Sequence, residues 1–292
     1  MKISKFIHNR NIEIDKACLN FKLFADNFVK EKNFNSYSDK IEKILKLPKN
    51  TTEQYVKKLI SGRINFHKKK KLIRISILAL FVDIPKFIYF VFIIFKKRDK
   101  EVNIKQKKYD LIIDHIEDKE NLSRFVHLIN YYKSKNILVI SPSVKKFKFN
   151  NLKIYNKTNF DDYAITYREL GTILKLFFYS ILLSFKGSVN FLSFTISILN
   201  SFFYYRSIFK KNISNNCIIF QHYHSNAIKN FIFKKYGGRN SCIIQKNIHS
   251  LGFNCFYYDA DILFTFGKRT ADRCIEYGGN IKKIKPVGSF FM

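Results

Sequence analysis

From Tyr109 onward the chain alternates short apolar runs with amphipathic segments, and few folds are open to a chain so patterned. Strands separated by helices build a parallel sheet, because two parallel strands need a long crossover between them. The first run is Tyr109-Asp110-Leu111-Ile112-Ile113-Asp114-His115, and the helix after it carries Leu122, Phe125, Val126 and Ile129 at three- and four-residue spacing. Asn136 to Ser141, closed by Pro142, is the second run, and Asn151 to Tyr155 a weaker third. The pattern resumes with Cys217 to Gln221, a helix from about Asn226 to Tyr236 ending at Gly237-Gly238, and Ser241 to Gln245. Asp261 to Phe266, a helix from Lys268 to Tyr277 stopped by Gly278-Gly279, and Ile281 to Val287 complete it. The expectation is an α/β fold with six or seven strands in a Rossmann-like parallel sheet. Right-handed crossovers put the loops after the strands on one edge, where open α/β sheets bind ligands.

Residues 1–108 read as a basic helical N-terminal region, with Leu47-Pro48 as a helix stop and Thr51-Thr52-Glu53 as a helix start. Residues 109–292 read as the Rossmann-like lobe, interrupted by a helical insertion at about 167–210. In that insertion two Phe- and Leu-rich helices, Leu176 to Phe185 and Asn190 to Tyr205, are split by Lys186-Gly187-Ser188. They either cover the sheet or, with Lys175, Lys186, Arg206 and Lys210 nearby, dip their Phe-rich faces into anionic lipid.

The run from Ile75 to Phe95, ISILALFVDIPKFIYFVFIIF, is long enough to cross a bilayer, since about 20 residues suffice. Asp83, Pro85 and Lys86 sit near its centre, where a charge costs at least ~2.5–3.5 kcal/mol, and both flanks are basic. Two short apolar helices meeting at Pro85, either buried or lying in a membrane interface, are therefore expected in preference to a span.

The 292 residues, enough for about two domains, carry 53 Lys and Arg against 22 Asp and Glu, a formal +31, with 47% hydrophobic residues. So many charges disfavour a polytopic membrane protein, and so many apolar residues disfavour a disordered chain. Lysine outnumbers arginine 43 to 10, and Asn and Phe are abundant, a bias that A+T-rich coding imposes on any protein. Cys18, Cys217, Cys242, Cys255 and Cys274 form neither a C-x-x-C nor a zinc spacing, which fits reduced thiols in the cytosol. The opening MKISKFIHNRNIEIDKACLNF shows no secretory signal. A cytoplasmic protein, peripheral at the inner face of the membrane, is expected.

No G-x-G-x-x-G, Walker loop, H-E-x-x-H, G-x-S-x-G or EF-hand loop occurs, which disfavours the common cofactor enzymes. Polar residues cluster instead just after the expected strands. Gln221-His222-Tyr223-His224-Ser225-Asn226 precedes a helix start, where unpaired N–H groups face phosphate or carboxylate and imidazoles shuttle protons. His222 and His224 are candidate catalytic groups, and Gln221, Ser225 and Asn226 candidate substrate contacts, with Ser225 or Asn226 as the helix cap. Plain loop structure is the competing reading, and two imidazoles without a third ligand at recognisable spacing point to no metal. Gln245-Lys246-Asn247-Ile248-His249-Ser250 follows another strand and offers Gln245 and His249 as substrate contacts. Asp114-His115-Ile116-Glu117 offers Asp114 and Glu117 as a general base toward an acceptor hydroxyl. Against that stands the simpler account that acidic residues ahead of a helix serve its dipole, with Asp118 or Asn121 as the cap.

The stretch Asp259-Ala260-Asp261-Ile262-Leu263-Phe264-Thr265-Phe266-Gly267, then Glu276-Tyr277-Gly278-Gly279 and Pro286-Val287-Gly288-Ser289, carries a likeness. It resembles the lobe junction of GT-B-type glycosyltransferases that build bacterial surface carbohydrates such as capsule and lipopolysaccharide. It is similar also to the CDP-glycerol glycerophosphotransferases that polymerise teichoic acid. Those proteins run helix, strand, Gln-His-Gly, aromatic, Ala-Asp, strand, Gly, helix, Gly, strand, Val-Gly-Ser. Here Ile243-Ile244-Gln245 stands at the glutamine strand, and Lys246-Asn247 replaces His-Gly, with His249 close by. The resemblance covers about residues 216–289. It implies one lobe of a GT-B fold, with Gly267 and Ser289 near the substrate and a lipid-linked or oligosaccharide acceptor. A nucleotide-sugar donor would be the co-substrate, held by a second lobe that a partner chain or further sequence supplies, so no cofactor is expected on this chain itself.

The reading that follows is the acceptor-side lobe of a glycosyltransferase or polyol-phosphate transferase of surface polysaccharide synthesis. Its positive field would draw phosphorylated donors and anionic lipid-linked acceptors. A nucleic-acid-binding protein is the alternative, since Lys interleaved with Phe and Tyr tracks phosphates and stacks bases, but arginine is scarce and no recognition motif is visible. A non-catalytic scaffold at the membrane surface is the third.

Overall fold

A computed structural model of the chain describes residues 19–20, 22–63, 76–96, 106–132, 136–141, 148–149, 152–156, 167–219, 225–245 and 257–288. Seven strands among them form a single sheet: β1 (Lys107–Asp114), β2 (Ile137–Ser141), β3 (Lys153–Asn156), β4 (Asn212–Ile219), β5 (Asn240–Ile244), β6 (Asp259–Thr265) and β7 (Asn280–Pro286). Every pairing is parallel and the order across the sheet is β3-β2-β1-β4-β5-β6-β7. The fold is therefore Rossmann-like α/β, with the direction of winding reversing between β1 and β4.

Central strands of such a sheet are covered on both faces, so they are written as continuous apolar runs. β2, ILVIS, is buried at all its residues. β7 is the opposite case, an exposed edge strand studded with Lys282, Lys283 and Lys285, charges that discourage pairing with another chain. β4 begins five residues before the expected Cys217, because Asn212 and Ile213 pair in register with Lys107 and Lys108. Backbone pairing extends the strand there through a polar segment, Asn212 to Asn216, that carries no apolar signature.

Helical residues at 22–28 are followed, among the described residues, by nine further α-helices: α1 (Lys32–Leu45), α2 (Thr51–Arg63), α3 (Leu80–Lys96), α4 (Lys119–Ser123), α5 (Val126–Tyr132), α6 (Tyr167–Gly187), α7 (Phe191–Lys211), α8 (Ala227–Lys235) and α9 (Lys268–Glu276). The helix expected through residues 122–129 is interrupted at Arg124-Phe125, giving α4 and α5. The glycine stops are where the pairs Gly237-Gly238 and Gly278-Gly279 placed them, with Gly237 at φ 93° and Gly278 at φ 77°, a left-handed turn that glycine adopts without steric cost.

The apolar run at Ile75–Phe95 is not two helices meeting at Pro85. A 3-10 turn at Ile77–Ala79 leads into α3, which continues through Pro85. A proline at 85 removes the N–H that would bond the carbonyl of Phe81. The residue that carries this carbonyl, Phe81, lies on the exposed side of the helix, at 68% exposure. Asp83 is buried beneath, bonded to Lys86 Nζ at 2.9 Å and to Asn190 Nδ2 at 2.8 Å.

The helices before β1 share their core with the sheet. One continuous buried cluster joins Phe34, Tyr37 and Val56 of α1 and α2 to Phe191 and Phe194 of α7 and to Ile243 and Leu263 of the sheet. Polar bonds stitch the same boundary: the Tyr37 hydroxyl lies 3.0 Å from the Thr195 hydroxyl, and the Tyr55 hydroxyl donates to the Ser197 carbonyl at 2.9 Å. The Phe24–Phe28–Phe34 rings continue the seam onto Phe191 and Phe194. A smaller cluster, including Leu111, Ile113, Leu122, Ile129 and Val139, fills the space between β1, β2 and the α4–α5 pair.

Candidate functional site

In an open parallel sheet the ligand crevice lies beyond the carboxyl ends of the strands where the winding reverses. Here that point is fixed by the register Asp114↔Ile219, the last residues of β1 and β4. The segments leaving it are 115–118 and 220–226. Of the second, only Ser225 and Asn226 are described, so Gln221, His222 and His224 lie outside the described residues, as do His249 and Ser289.

Asp114 closes β1 and is buried. Its carboxylate pairs with Lys229 Nζ, and both side chains are almost fully enclosed, at 1% exposure for Lys229 and 4% for Asp114. The Lys229 ammonium also stands 5.6 Å from the centre of the Tyr205 ring. A carboxylate engaged in this way is a strut under the crevice floor rather than a base facing an open edge. Lys229 was not among the residues singled out in the sequence. Its only signal there is a cation in the apolar run Ala227-Ile228-Lys229-Asn230-Phe231-Ile232, and a lysine on such a face is buried only when it finds an anion.

The chain then turns at His115, whose φ of 68° is left-handed, a region histidine visits more than most residues. Ile116 drops back into the core, its N–H bonded to the Ile140 carbonyl at 3.2 Å. The turn leaves His115 half-buried at the rim and Glu117 exposed. Asp118 caps α4, accepting from the Asn121 N–H at 2.7 Å, so the capping role belongs to Asp118. Asp114 and Glu117 are thus parted by burial, one inside and one in water.

Asn226 caps α8, its side chain accepting from the Lys229 N–H at 2.9 Å. That bond orients the first turn from which Lys229 reaches Asp114. Ser225 is buried and its hydroxyl is spent on the backbone of Asp259, accepting from the N–H at 2.7 Å and donating to the carbonyl at 3.3 Å. Gln245 is buried at the end of β5. Its Oε1 accepts from the Phe266 N–H at 3.0 Å, and its own N–H bonds the Phe264 carbonyl at 3.0 Å, joining the ends of β5 and β6. Gly267 stands at the start of α9 with extended backbone and open space where a side chain would be. Asp114, Gln245 and Gly267 therefore lie along one edge of the sheet, each at the end of its own strand or just past it.

Away from this edge, the Asp261 carboxylate is tied into structure. Burial pushes the Asp261 carboxyl up, but Lys234, the Ser241 N–H and Lys282 outweigh it and hold the group at about 2. Burial lifts the Cys217 thiol to about 12, with Lys229 opposing and Asp114 adding to the rise, and lifts Cys242 to about 11. Both thiols are protonated and shielded at neutral pH, which leaves them unreactive. Among the described residues no three His, Cys, Asp or Glu side chains converge as metal ligands do. Comparison with protein-family models, curated proteins and solved structures finds no match.

Proposed function

We propose that this chain is the acceptor-side lobe of a transferase that moves a sugar or polyol phosphate from a nucleotide-linked donor to a hydroxyl of a surface-polysaccharide acceptor. The observation that supports the reading is the agreement between motif and element order over the described part of residues 216–289. The glutamine ends β5, Ala260-Asp261 opens β6, Gly267 starts α9, Gly278-Gly279 stops it, and Val287-Gly288 leaves β7. The same residues lie on a sheet whose winding reverses at β1 and β4, the place where such folds bind ligands.

In this reading the acceptor hydroxyl sits at the rim beside His115. The base is drawn from the half-buried and exposed groups there, His115 and Glu117, together with His222 and His224, which follow β4 in the sequence. Asp114 acts as a positioning residue: by neutralising Lys229 it fixes the end of β1 and with it the turn at His115. A base that removes the hydroxyl proton and a donor lobe that stabilises the departing nucleoside phosphate complete the transfer.

The reading is tested by titrating the full chain calorimetrically with an oligosaccharide acceptor, with CDP-glycerol and UDP-sugars, and with single-stranded oligonucleotide. Saturable acceptor binding that weakens in His115→Ala and Glu117→Gln is the expected result. Absence of any glycan or polyol-phosphate binding, alongside oligonucleotide binding that falls steeply with salt, would replace it with the nucleic-acid reading.

A further inference from the structure

We propose that the outward faces of α3 and α6 form one platform that seats on an anionic lipid bilayer and enters its headgroup layer without crossing it. The inference stands apart from the transferase reading, since it uses none of the strand-end residues.

The two helices lie side by side, Phe87 of α3 stacked on Phe177 of α6 with ring centres 4.4 Å apart. On α3 the buried row Leu80, Phe87 and Phe90 faces the core, and the opposite row, Phe81, Val82, Ile88, Tyr89 and Phe92, is exposed at 58–68%. Leu78, in the 3-10 turn just before, is 71% exposed. On α6, Leu174, Phe178, Leu182 and Phe185 repeat at helical spacing and are also exposed, Phe178 at 61%. The side of each helix that normally carries charge is thus apolar and aromatic. On α6 the exposed Phe178 follows Phe177, the ring that stacks on Phe87 of α3, with centroids 5.3 Å from it. Taking roughly 200 Å² for a whole side chain of this kind, the platform exposes on the order of 1,000 Å², well above the few hundred Å² usual for a monomer's largest apolar patch.

Charge selects the occupant. Lys175 and Lys186 border the platform and are exposed, as is Lys86, whose ammonium is paired with Asp83. The two carboxylates on the described residues of α3 and α6 are both withdrawn: Asp83 is buried, and Glu169 is paired with Arg206. A second copy of the chain would bring another +31 to the same surface, so self-association is opposed where an anionic bilayer is attracted. Apolar residues ringed by lysine, with aromatic side chains outward, are what an interfacial helix presents to such a surface.

The inner faces keep both helices at the interface. Residues Glu169–Gly187 are long and apolar enough to span, with mean hydropathy 1.3. Yet Ser180 Oγ lies 2.6 Å from the Thr195 hydroxyl, Ser184 Oγ accepts from the Phe191 N–H at 2.9 Å, and Asp83 accepts from Asn190. Crossing would break these bonds and leave their polar groups in hydrocarbon, where each unsatisfied group costs several kcal/mol.

The test is sedimentation of the full chain with vesicles of phosphatidylcholine alone and with added phosphatidylglycerol, comparing wild type with Phe178→Gln/Leu182→Gln/Phe185→Gln and with Lys175→Glu/Lys186→Glu. Binding to the anionic vesicles, at least about tenfold weaker in either variant with the thermal midpoint unchanged, is expected. Alkaline carbonate should release the bound protein. Undiminished binding in the Gln variant would overturn the platform and leave only diffuse attraction by net charge. Retention through carbonate would show a span, and a dimer that the Gln variant dissociates, without vesicle binding, would give the face to a second copy.

Discussion

Asp114 and Lys229, 115 residues apart in the chain, form a buried ion pair that holds the end of β1 to the first turn of α8. Breaking such a pair on one side strands a charge in the interior, which costs more than the pair is worth. Asp114→Ala or Lys229→Met alone is expected to lose about 3–5 kcal/mol, and Asp114→Leu with Lys229→Met together to recover much of it. Urea unfolding of the three variants measures this. A loss under about 1 kcal/mol in both single variants would mean that water compensates the orphaned charge.

Asp261 makes folding depend on pH in the acid range. Its carboxyl sits at about 2, against an ordinary 3.8. The folded state therefore favours the ionised form, and the contribution is complete above about pH 4 and fades as the pH falls toward 2. Asp261→Asn should flatten that part of the urea midpoint's pH profile. Lys282→Ala should alter it little, since Lys282 is largely exposed and Lys234 remains.

Glu42 behaves in the opposite sense. Burial raises its carboxyl above the ordinary 4.5, although the Thr52 N–H donates to Oε1 at 2.8 Å and the Ser38 hydroxyl at 3.4 Å. The proton is held more tightly in the folded chain, so this stabilisation is full below pH 4.5 and is lost as the pH rises through the raised value. Glu42→Gln keeps an acceptor for Thr52, at the start of α2, and should remove this dependence. Glu42→Ala also removes the dependence but leaves the N–H without its partner, so it should be about 1 kcal/mol less stable than Glu42→Gln throughout. Thermal midpoints across the acid range distinguish the two.

Gly278 stops α9 at φ 77°, and a β-carbon there would lie 2.9 Å from the Tyr257 ring. Gly278→Ala should destabilise by more than about 1 kcal/mol, combining backbone strain with displacement of the ring. Tyr257→Leu in the same background removes the ring contact, so the residual loss in a double-variant cycle isolates the backbone part.

The strands were legible wherever burial on both faces wrote an apolar run, as in Ile137 to Ser141, and helix ends were legible at the glycine pairs. Asn212 to Asn216 was not, because backbone register holds a polar strand. Continuity through Pro85 escaped for a related reason: whether a helix tolerates the missing bond depends on how its surroundings pack, not on local sequence. At the candidate site, the shared edge of Asp114, Gln245 and Gly267 followed from strand ends. The enclosure of Asp114 did not, since it depends on Lys229, whose approach is set by the fold. Nor did sequence show that Ser225 is committed to Asp259.

The core that runs from Phe34 and Val56 into Phe191 and Ile243 has a practical corollary. The described helices before β1 are no detachable head: cutting the chain just ahead of Lys107 would lay bare the aromatic flank of α7 and take from Thr195 and Ser197 their tyrosine partners. A shortened sheet of this kind should precipitate instead of surviving as an autonomous half.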